Sequence, residues 1–509
     1  MVNISKVFAA ELDGIDAKLI EVETDINVGL HAFNIVGLAD KALSEAKERV
    51  NSALKNIGVK APNRENRKIV VNLAPADIKK NGSQYDLSIA IGYLLATKQI
   101  KEFDSSDKIF VGELALSGDL RPVNGALSIA RLAKKLKFDS VFLPKVNAAE
   151  AAMIPGVKII PIGNLSELID HLEDRVSIKA HPETKIDYRA SGNFPDFSEV
   201  KGQEHAKRAL TIAAAGGHNI IMIGPPGTGK TLLAQALNSI LPEPTLEEVI
   251  EMTQIYSSAG VLAGISYVNF RPFRAPHHTA SPVAVVGGGT NPKPGEISLA
   301  HRGVLFLDEL PEFRRDLLES LRQPLESGKV AVARVKQSLV FPSKFILVAA
   351  MNPCPCGYYG DPEKACRCSA FEVFRYQKKV SGPLLDRIDI QINVPRMKIA
   401  ELRSAKGGES RLVKAKIAET RAIQAERLSG EGLITNSEMS SKLTEKLVDL
   451  DKGAEDFVKE FFDKSLLSTR GYYRVLKVAR TIADLEGSEK VSANHLGEAF
   501  GYRVRSEQF

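Results

Sequence analysis

Three observations predict an α/β architecture built in three parts. Short apolar runs alternate with helix-length stretches over about the first 175 residues. The same alternation resumes from about 199 to 400, and beyond about 400 the pattern is helical. In the first part the strand-like runs are "KIVVNLA", "KIFVGELAL", "SVFLP" and "VKIIPI". The helical ones are "ALSEAKERVNSALKNIG", "DLSIAIGYLLATKQI" and "ALSIARLAKKL". Residues 176–198 are polar, carry Pro and Gly and have no periodicity, which reads as a linker. The segments "RLVKAKIAETRAIQAERL" and "YYRVLKVARTIADLEG" mark the C-terminal helical part, 401–509.

A chain of 509 residues exceeds what one hydrophobic core organises, so about three domains are expected. Apolar residues at 44% and charged residues at 26% describe an ordinary globular protein. No run of about eighteen apolar residues occurs, so no membrane span is expected. The start, "MVNISKVFAAELDGIDAK", lacks a basic stretch followed by an apolar one. The expectation is therefore a cytoplasmic protein with reduced thiols. A net charge of +6 permits an acidic partner such as nucleic acid without requiring one.

The strongest local signal is "HNIIMIGPPGTGKTLLAQAL". Ile220 to Ile223 form an apolar strand, and a helix follows the loop. Between them Gly224, Pro225, Pro226, Gly227, Thr228, Gly229, Lys230 and Thr231 match G-x-x-x-x-G-K-T. Glycines let backbone N–H groups turn inward, and the helix start adds partial positive charge. Lys230 is expected to reach the β- and γ-phosphates of ATP, and Thr231 to ligate Mg²⁺. In "RGVLFLDEL" a strand ends in Asp308 and Glu309. Asp308 would hold Mg²⁺ through its water shell, and Glu309 would polarise the attacking water. A further strand, "KFILVAAMNP", ends at Asn352, whose amide could orient that water or touch the γ-phosphate.

Two stretches interrupt this core. "FRPFRAPHHTASPVAVVGGGTNPKPGEISLAHRG" is too rich in Gly and Pro for a plain helix, with Gly287, Gly288 and Gly289 as a loop tip. His277 and His278, inside it, adjoin no other candidate ligand in sequence and read as structural. "SGKVAVARVKQSLVFPSK" alternates apolar residues with Arg334 and Lys336, predicting a hairpin with a basic face.

All four cysteines, Cys354, Cys356, Cys366 and Cys368, fall in C-x-C, nine residues, C-x-C. Such clustering points to a joint purpose. Four thiolates suit a structural tetrahedral Zn²⁺, and the turn-forming "GYYGDPEKA" between the pairs could bring them together. The spacing is tighter than the usual knuckle, so an iron–sulfur cluster or redox-sensitive thiols stay open.

The three strand-end positions resemble the two Walker motifs and sensor 1 of AAA+ ATPases. "SGPLLDRIDI" resembles the arginine-finger segment of the magnesium-chelatase and MCM branch. The resemblance implies that Arg387 acts in trans on a neighbour's nucleotide. "STRGYYRVLKVARTIADL" resembles the sensor 2 helix, with Arg470 the first candidate and Arg474 the second. The Gly-rich stretch and the basic hairpin resemble the helix-2 insert and pre-sensor-1 hairpin, which line the pore of ring ATPases. In that setting Arg334 and Lys336 would track a phosphate backbone.

Over nearly its whole length, including "DFSEVKGQEHAKRAL" and "NPCPCG", the chain resembles the YifB/ComM family of magnesium-chelatase-like AAA+ ATPases. That resemblance implies an AAA+ core at 199–400 with a C-terminal lid. It implies a homo-hexameric, ATP-dependent DNA helicase acting on single-stranded or branched DNA. The family's role is branch migration in natural transformation, with recombination proteins as further partners. A chelatase-type ATPase that remodels a protein partner is the alternative, since its core motifs would look the same.

Residues 1–175 resemble the proteolytic domain of Lon, a ribosomal S5 domain 2-like α/β fold. "KKNGSQYDLSIAIGYLLA" and "VGELALSGDLRPVNGALSIARLAKKL" correspond to the segments that carry the Lon nucleophilic serine and lysine. Here Gln84 and Leu127 stand at those positions, and Ser83 is one place off. A dyad needs a hydroxyl and an amine, so the fold is expected without the proteolysis.

Overall fold

The computed structural model describes residues 4–37, 41–64, 66–80, 82–188, 194–262, 264–289, 292–333, 338–397, 410–462 and 468–503. The chain divides into two compact units. The first comprises residues 1–187 and 246–268, the second 188–245 and 269–509.

The first unit is built on a seven-stranded mixed sheet. Its strands are β1 (Ile4–Asp13), β2 (Asp16–Val28), β3 (Ala32–Val36), β4 (Arg67–Ala74), β5 (Lys108–Phe110), β6 (Ser140–Pro144) and β7 (Lys158–Ile162). The order is β3-β4-β2-β1-β5-β6-β7. β1 and β2 form an antiparallel hairpin closed at Asp13 and Asp16, where Gly14 adopts a φ of 70°. Along β2, Ile20, Val22, Thr24 and Ile26 alternate inward, as a half-buried strand requires. β6 is buried at every position and pairs in parallel on both sides, hence its unbroken apolar run. Helices Asp86–Ala96 and Ala126–Leu136 pack against the β1–β2 hairpin.

Helix Leu246–Ala259 belongs to this unit, although it lies within the 199–400 stretch that the sequence reading assigned to the ATPase core. The reason is packing. From Met252 to Ala259 every residue is buried, and the helix rests on Ala126–Leu136. The Ser257 hydroxyl accepts from the Gly125 N–H at 2.7 Å and donates to the Glu150 carboxylate at 2.5 Å. Part of the predicted linker also lies along this unit. His181 N–H donates to the Ile159 carbonyl at 2.8 Å, and Thr184 N–H to the Ala152 carbonyl at 3.0 Å.

The second unit holds a five-stranded parallel sheet. Its strands are β8 (Ile220–Ile223), β9 (Phe273–Arg274), β10 (Val304–Leu307), β13 (Ile346–Met351) and β14 (Ile390–Asn393). Their order is β9-β10-β13-β8-β14. Between β10 and β13 the chain makes the separate antiparallel hairpin β11 (Lys329–Ala333) and β12 (Ser338–Pro342). Every residue of β8, β10 and β13 is buried, and burying each such Ile, Leu or Val stabilises by about 1.5–3 kcal/mol.

The C-terminal segment is helical, as expected: Ser410–Leu428, Ser441–Leu447, Lys452–Phe462, Thr469–Leu485 and Ala493–Gly501. Its apolar residues Ile417, Leu428, Val475, Ile482 and Leu496 join one core with Ile220, Met222, Leu233 and Leu237. Among the described residues, no helix is long and apolar enough to cross a membrane.

Candidate active site

Parallel strands bring their C-terminal ends to one edge of the sheet, and most of the sequence candidates meet there. β8 runs into the glycine loop and then into helix Lys230–Ile240. Gly227 and Gly229 adopt φ of 80° and 83°, which only glycine takes without strain. The Lys230 ammonium folds onto the loop, donating to the Gly224 carbonyl at 2.7 Å and the Pro225 carbonyl at 2.9 Å. It also donates to Asn352 Oδ1 at 3.2 Å, because β13 lies beside β8 with Met351 opposite Ile223. Burial pushes Lys230 below the usual lysine range, and Asp308 partly offsets this. Thr231 Oγ1 donates to Asp308 Oδ2 at 2.9 Å. Asp308 Oδ1 accepts from the Glu309 N–H at 2.9 Å, and Glu309 has a φ of 52°. That strained turn directs the two carboxylates differently: one to Thr231, the other outward with 57% of its side chain exposed.

The structure brings to this site a residue that the sequence reading took as structural. His278 Nδ1 lies 3.7 Å from Glu309 Oε2, and its ring lies against His277, tilted by 35° with centroids 4.1 Å apart. The pair follows β9, and β9 neighbours β10 in the sheet, so the two strand ends deliver His278 and Glu309 to the same place. Only the strand order, not the spacing, could have revealed this.

The four cysteines also converge. Sγ–Sγ separations are 3.4 Å for Cys354–Cys356, 3.7 Å for Cys354–Cys366 and 3.5 Å for Cys356–Cys366. All four sulfurs, with Cys368, lie within 4.8 Å of one another. A tetrahedron with bonds of about 2.3 Å has edges of about 3.8 Å, so this donor set fits a single Zn²⁺. Backbone N–H groups of Arg367 and Tyr358 lower the Cys356 thiol to about 6, while desolvation and the neighbouring cysteines raise Cys366 and Cys368. The module abuts the glycine loop. A Cβ on Gly357 would stand 2.6 Å from Pro226 Cδ, and its φ of 86° also requires glycine.

The two candidate arginines lie at the other end of the sheet. β8 and β14 are parallel with Ile220 opposite Ile390, so Arg387, three residues before β14, sits at the strand starts while the glycine loop sits at the strand ends. Arg387 is 6% exposed. It donates to the Pro383 carbonyl at 2.7 Å and to Glu326 Oε2 at 2.6 Å. Arg470 opens helix Thr469–Leu485 and pairs with the other oxygen of Glu326. Arg474, the second candidate, pairs instead with Asp389 and donates to the Arg387 carbonyl at 2.9 Å. Burial alone would raise Asp389, but Arg474 and His218 hold it below the ordinary carboxylate range. Arg334 and Lys336 fall in the connection between β11 and β12 and lie outside the described residues.

In the first unit the positions matched to the Lon dyad face other partners. Gln84 Nε2 donates to Glu11 Oε2 at 2.7 Å, and Ser83 donates to Glu113. Leu127, in the first turn of helix Ala126–Leu136, is fully buried.

Comparison with known proteins agrees with this arrangement. Residues 22–147 match the family described as "Subunit ChlI of Mg-chelatase". Residues 196–402 match "Magnesium chelatase, subunit ChlI", and 407–503 its C-terminal region. A mixed α/β chain with this parallel sheet and helical end is thus a magnesium-chelatase-like AAA+ protein. The chain is 43% identical to the Competence protein ComM of Haemophilus influenzae, over 99% of this chain and 98% of that one. It is 40% identical to the uncharacterized protein YifB of Escherichia coli, over 99% and 97%. The magnesium-chelatase 38 kDa subunit of Rhodobacter capsulatus is 24% identical over 62% of this chain and 89% of its own. The chain belongs to the YifB/ComM family of magnesium-chelatase-like AAA+ proteins.

Proposed function

We propose that this chain is the subunit of a homo-hexameric, ATP-driven DNA motor that promotes branch migration during homologous recombination in natural transformation. The observation that carries the reading is the separation of phosphate loop and arginines to opposite ends of one sheet. A subunit whose Arg387 cannot reach its own loop needs a second copy to complete its site. A closed ring of like subunits supplies one at every seam. The relative named for competence, similar along its whole length, supports the process.

In this reading the Lys230 ammonium leaves the loop carbonyls for the β- and γ-phosphates of ATP. Backbone N–H groups from Gly227 to Thr231 cradle the same phosphates. Glu309 polarises the attacking water, and Asn352 orients it. Arg387 and Arg470 of the next subunit stabilise the charge that develops on the transferred phosphoryl group. Mg²⁺, held by Thr231 and through water by Asp308, would neutralise phosphate charge. Cys354, Cys356, Cys366 and Cys368 would hold a structural Zn²⁺ that stiffens the loop after Asn352. Arg334 and Lys336 would follow the DNA backbone without reading sequence. The first unit, read as Lon-like without its dyad, would serve assembly or DNA contact.

Unwinding of forked and four-way DNA by the wild type and by Lys230→Ala tests this. ATP-dependent unwinding that the variant loses is expected. A wild type that neither unwinds DNA nor hydrolyses ATP faster in its presence would instead favour remodelling of a protein partner. About one zinc per purified chain is expected. A value well below one, with DNA-stimulated turnover intact, rejects the structural zinc.

A further inference from the structure

Glu326 touches neither the glycine loop nor the cysteines, yet it joins the two arginines assigned to the neighbour's nucleotide. Its Oε2 accepts from Arg387 at 2.6 Å, and its Oε1 accepts from Arg470. One carboxylate thus ties a residue just before β14 to the first turn of helix Thr469–Leu485. The side chain of Glu326 is 50% exposed, so the bridge opens to solvent on one side. Among the described residues, the Arg387 Nε is buried without a hydrogen-bond partner, as is the Nε of Arg474. Buried unpaired donors are rare in folded proteins and call for a specific reason, such as a second state in which they are satisfied.

The chemistry of the bridge suggests that state. A carboxylate and a phosphoryl group offer guanidinium the same paired oxygens, and charge-assisted bonds of this kind exchange one anion for another. Glu326 therefore occupies the position on Arg387 and Arg470 that a triphosphate from an adjoining copy would take. Its place in the chain links that exchange to the hairpin. Glu326 lies in the short helix Pro324–Ser327. Gly328 follows with a φ of 64°, and β11 begins at Lys329. Gly328 N–H donates to the Pro324 carbonyl at 2.9 Å, and Ser343 N–H to the Gly328 carbonyl at 2.8 Å, so this turn clasps both strands of the hairpin. A Cβ on Gly328 would lie 2.9 Å from Lys344 Cγ, leaving little slack.

We infer that Glu326 is a positioning residue: it holds Arg387 and Arg470 in reserve while no neighbouring triphosphate engages them, and its release is felt at the base of the β11–β12 hairpin. The inference rests on the reading of Arg387 as a residue acting in trans. It predicts that the carboxylate lowers the population of subunits with free arginines, and that DNA at the hairpin raises it again.

The experiment measures ATP turnover with and without single-stranded DNA for the full-length wild type, Glu326→Gln, Glu326→Asp and Arg387→Ala. In Glu326→Gln, DNA-independent turnover should rise by about tenfold, the ratio expected for losing one charge-assisted hydrogen bond. Stimulation by DNA should fall toward a ratio of about one. Glu326→Asp keeps the charge and should recover most of the wild-type ratio. A merely structural glutamate would lower turnover in both variants and leave the ratio alone, and that result overturns the inference. If Glu326→Gln unfolds early, Glu326→Asp decides by the same two readings: raised DNA-independent turnover with stimulation below the wild-type ratio supports the reserve, and an unmoved ratio rejects it. Wild-type turnover in Arg387→Ala sinks the trans reading itself. A silent Arg387→Ala beside an unchanged Glu326→Gln sinks only the reserve.

Discussion

The two ends of the five-stranded sheet carry similar charged residues in opposite conditions. At the strand ends, Lys230 rests on backbone carbonyls, Thr231 on Asp308, and Glu309 projects outward. These partners are weak enough for a phosphate to displace. At the strand starts the central charges are buried and paired with one another: Asp389 at 3% exposure, with Arg474, His218 and the Asn219 N–H around it. In the proposed reading the first end receives the nucleotide and the second is a mount for Arg387 and Arg470. A buried ion cluster is a costly mount, and replacing one member exposes that cost.

The largest effect that could break this contrast concerns Arg387. Arg387→Ala should lower ATP turnover by about 10³-fold. Mixing it with Lys230→Ala, itself silent, should restore part of the activity, because some seams then pair an intact loop with an intact arginine. No recovery on mixing would mean that both ends serve the same subunit. Next, Asp389→Asn should destabilise the second unit by about 3 kcal/mol, read as a lowered urea midpoint, since it leaves the buried Arg474 charge without its counter-ion. A cost near zero would mean that the mount is looser than its burial indicates.

A smaller effect is read in pH. Burial lowers Lys477, on the same helix as Arg474, to about 8, with Asp389 opposing the shift and Arg474 adding to it. The unfolded chain then holds a proton that the folded chain has given up, so stability rises with pH between about 8 and the ordinary lysine range. Between pH 8 and 9 the wild type should gain about 1 kcal/mol relative to Lys477→Met. A flat difference would place Lys477 in water. The smallest effect lies in the first unit. Ser83→Ala should cost less than about 1 kcal/mol and leave ATP turnover unchanged, since that hydroxyl only caps Glu113.

Chemistry confined to one contiguous run was readable before any coordinates. The glycine loop declares itself because phosphate binding fixes residue types within eight positions. Asp308 and Asn352 followed because strand tips gather at one edge. His278 did not, since its partner is set by strand order. Glu326 was invisible for a stronger reason: its partners lie 61 and 144 residues away, on two different elements. The cysteines announced a cluster, yet only the fold brings the sulfurs to tetrahedral spacing and seats Gly357 on the glycine loop. Arg334 and Lys336 lie outside the described residues, and their part rests on the alternation in the sequence and the resemblance to a pre-sensor-1 hairpin.

The excursion of helix Leu246–Ala259 into the first unit has a practical consequence for anyone dissecting this protein. A fragment ending at Asp187 would be missing a piece of its own interior. The Gly125 amide and the Glu150 carboxylate would lose the Ser257 hydroxyl that joins them. Grafting residues 246–268 back through a short connector should yield a soluble product where plain truncation yields an aggregating one. The gene's linear order is a poor guide to where this molecule can be cut.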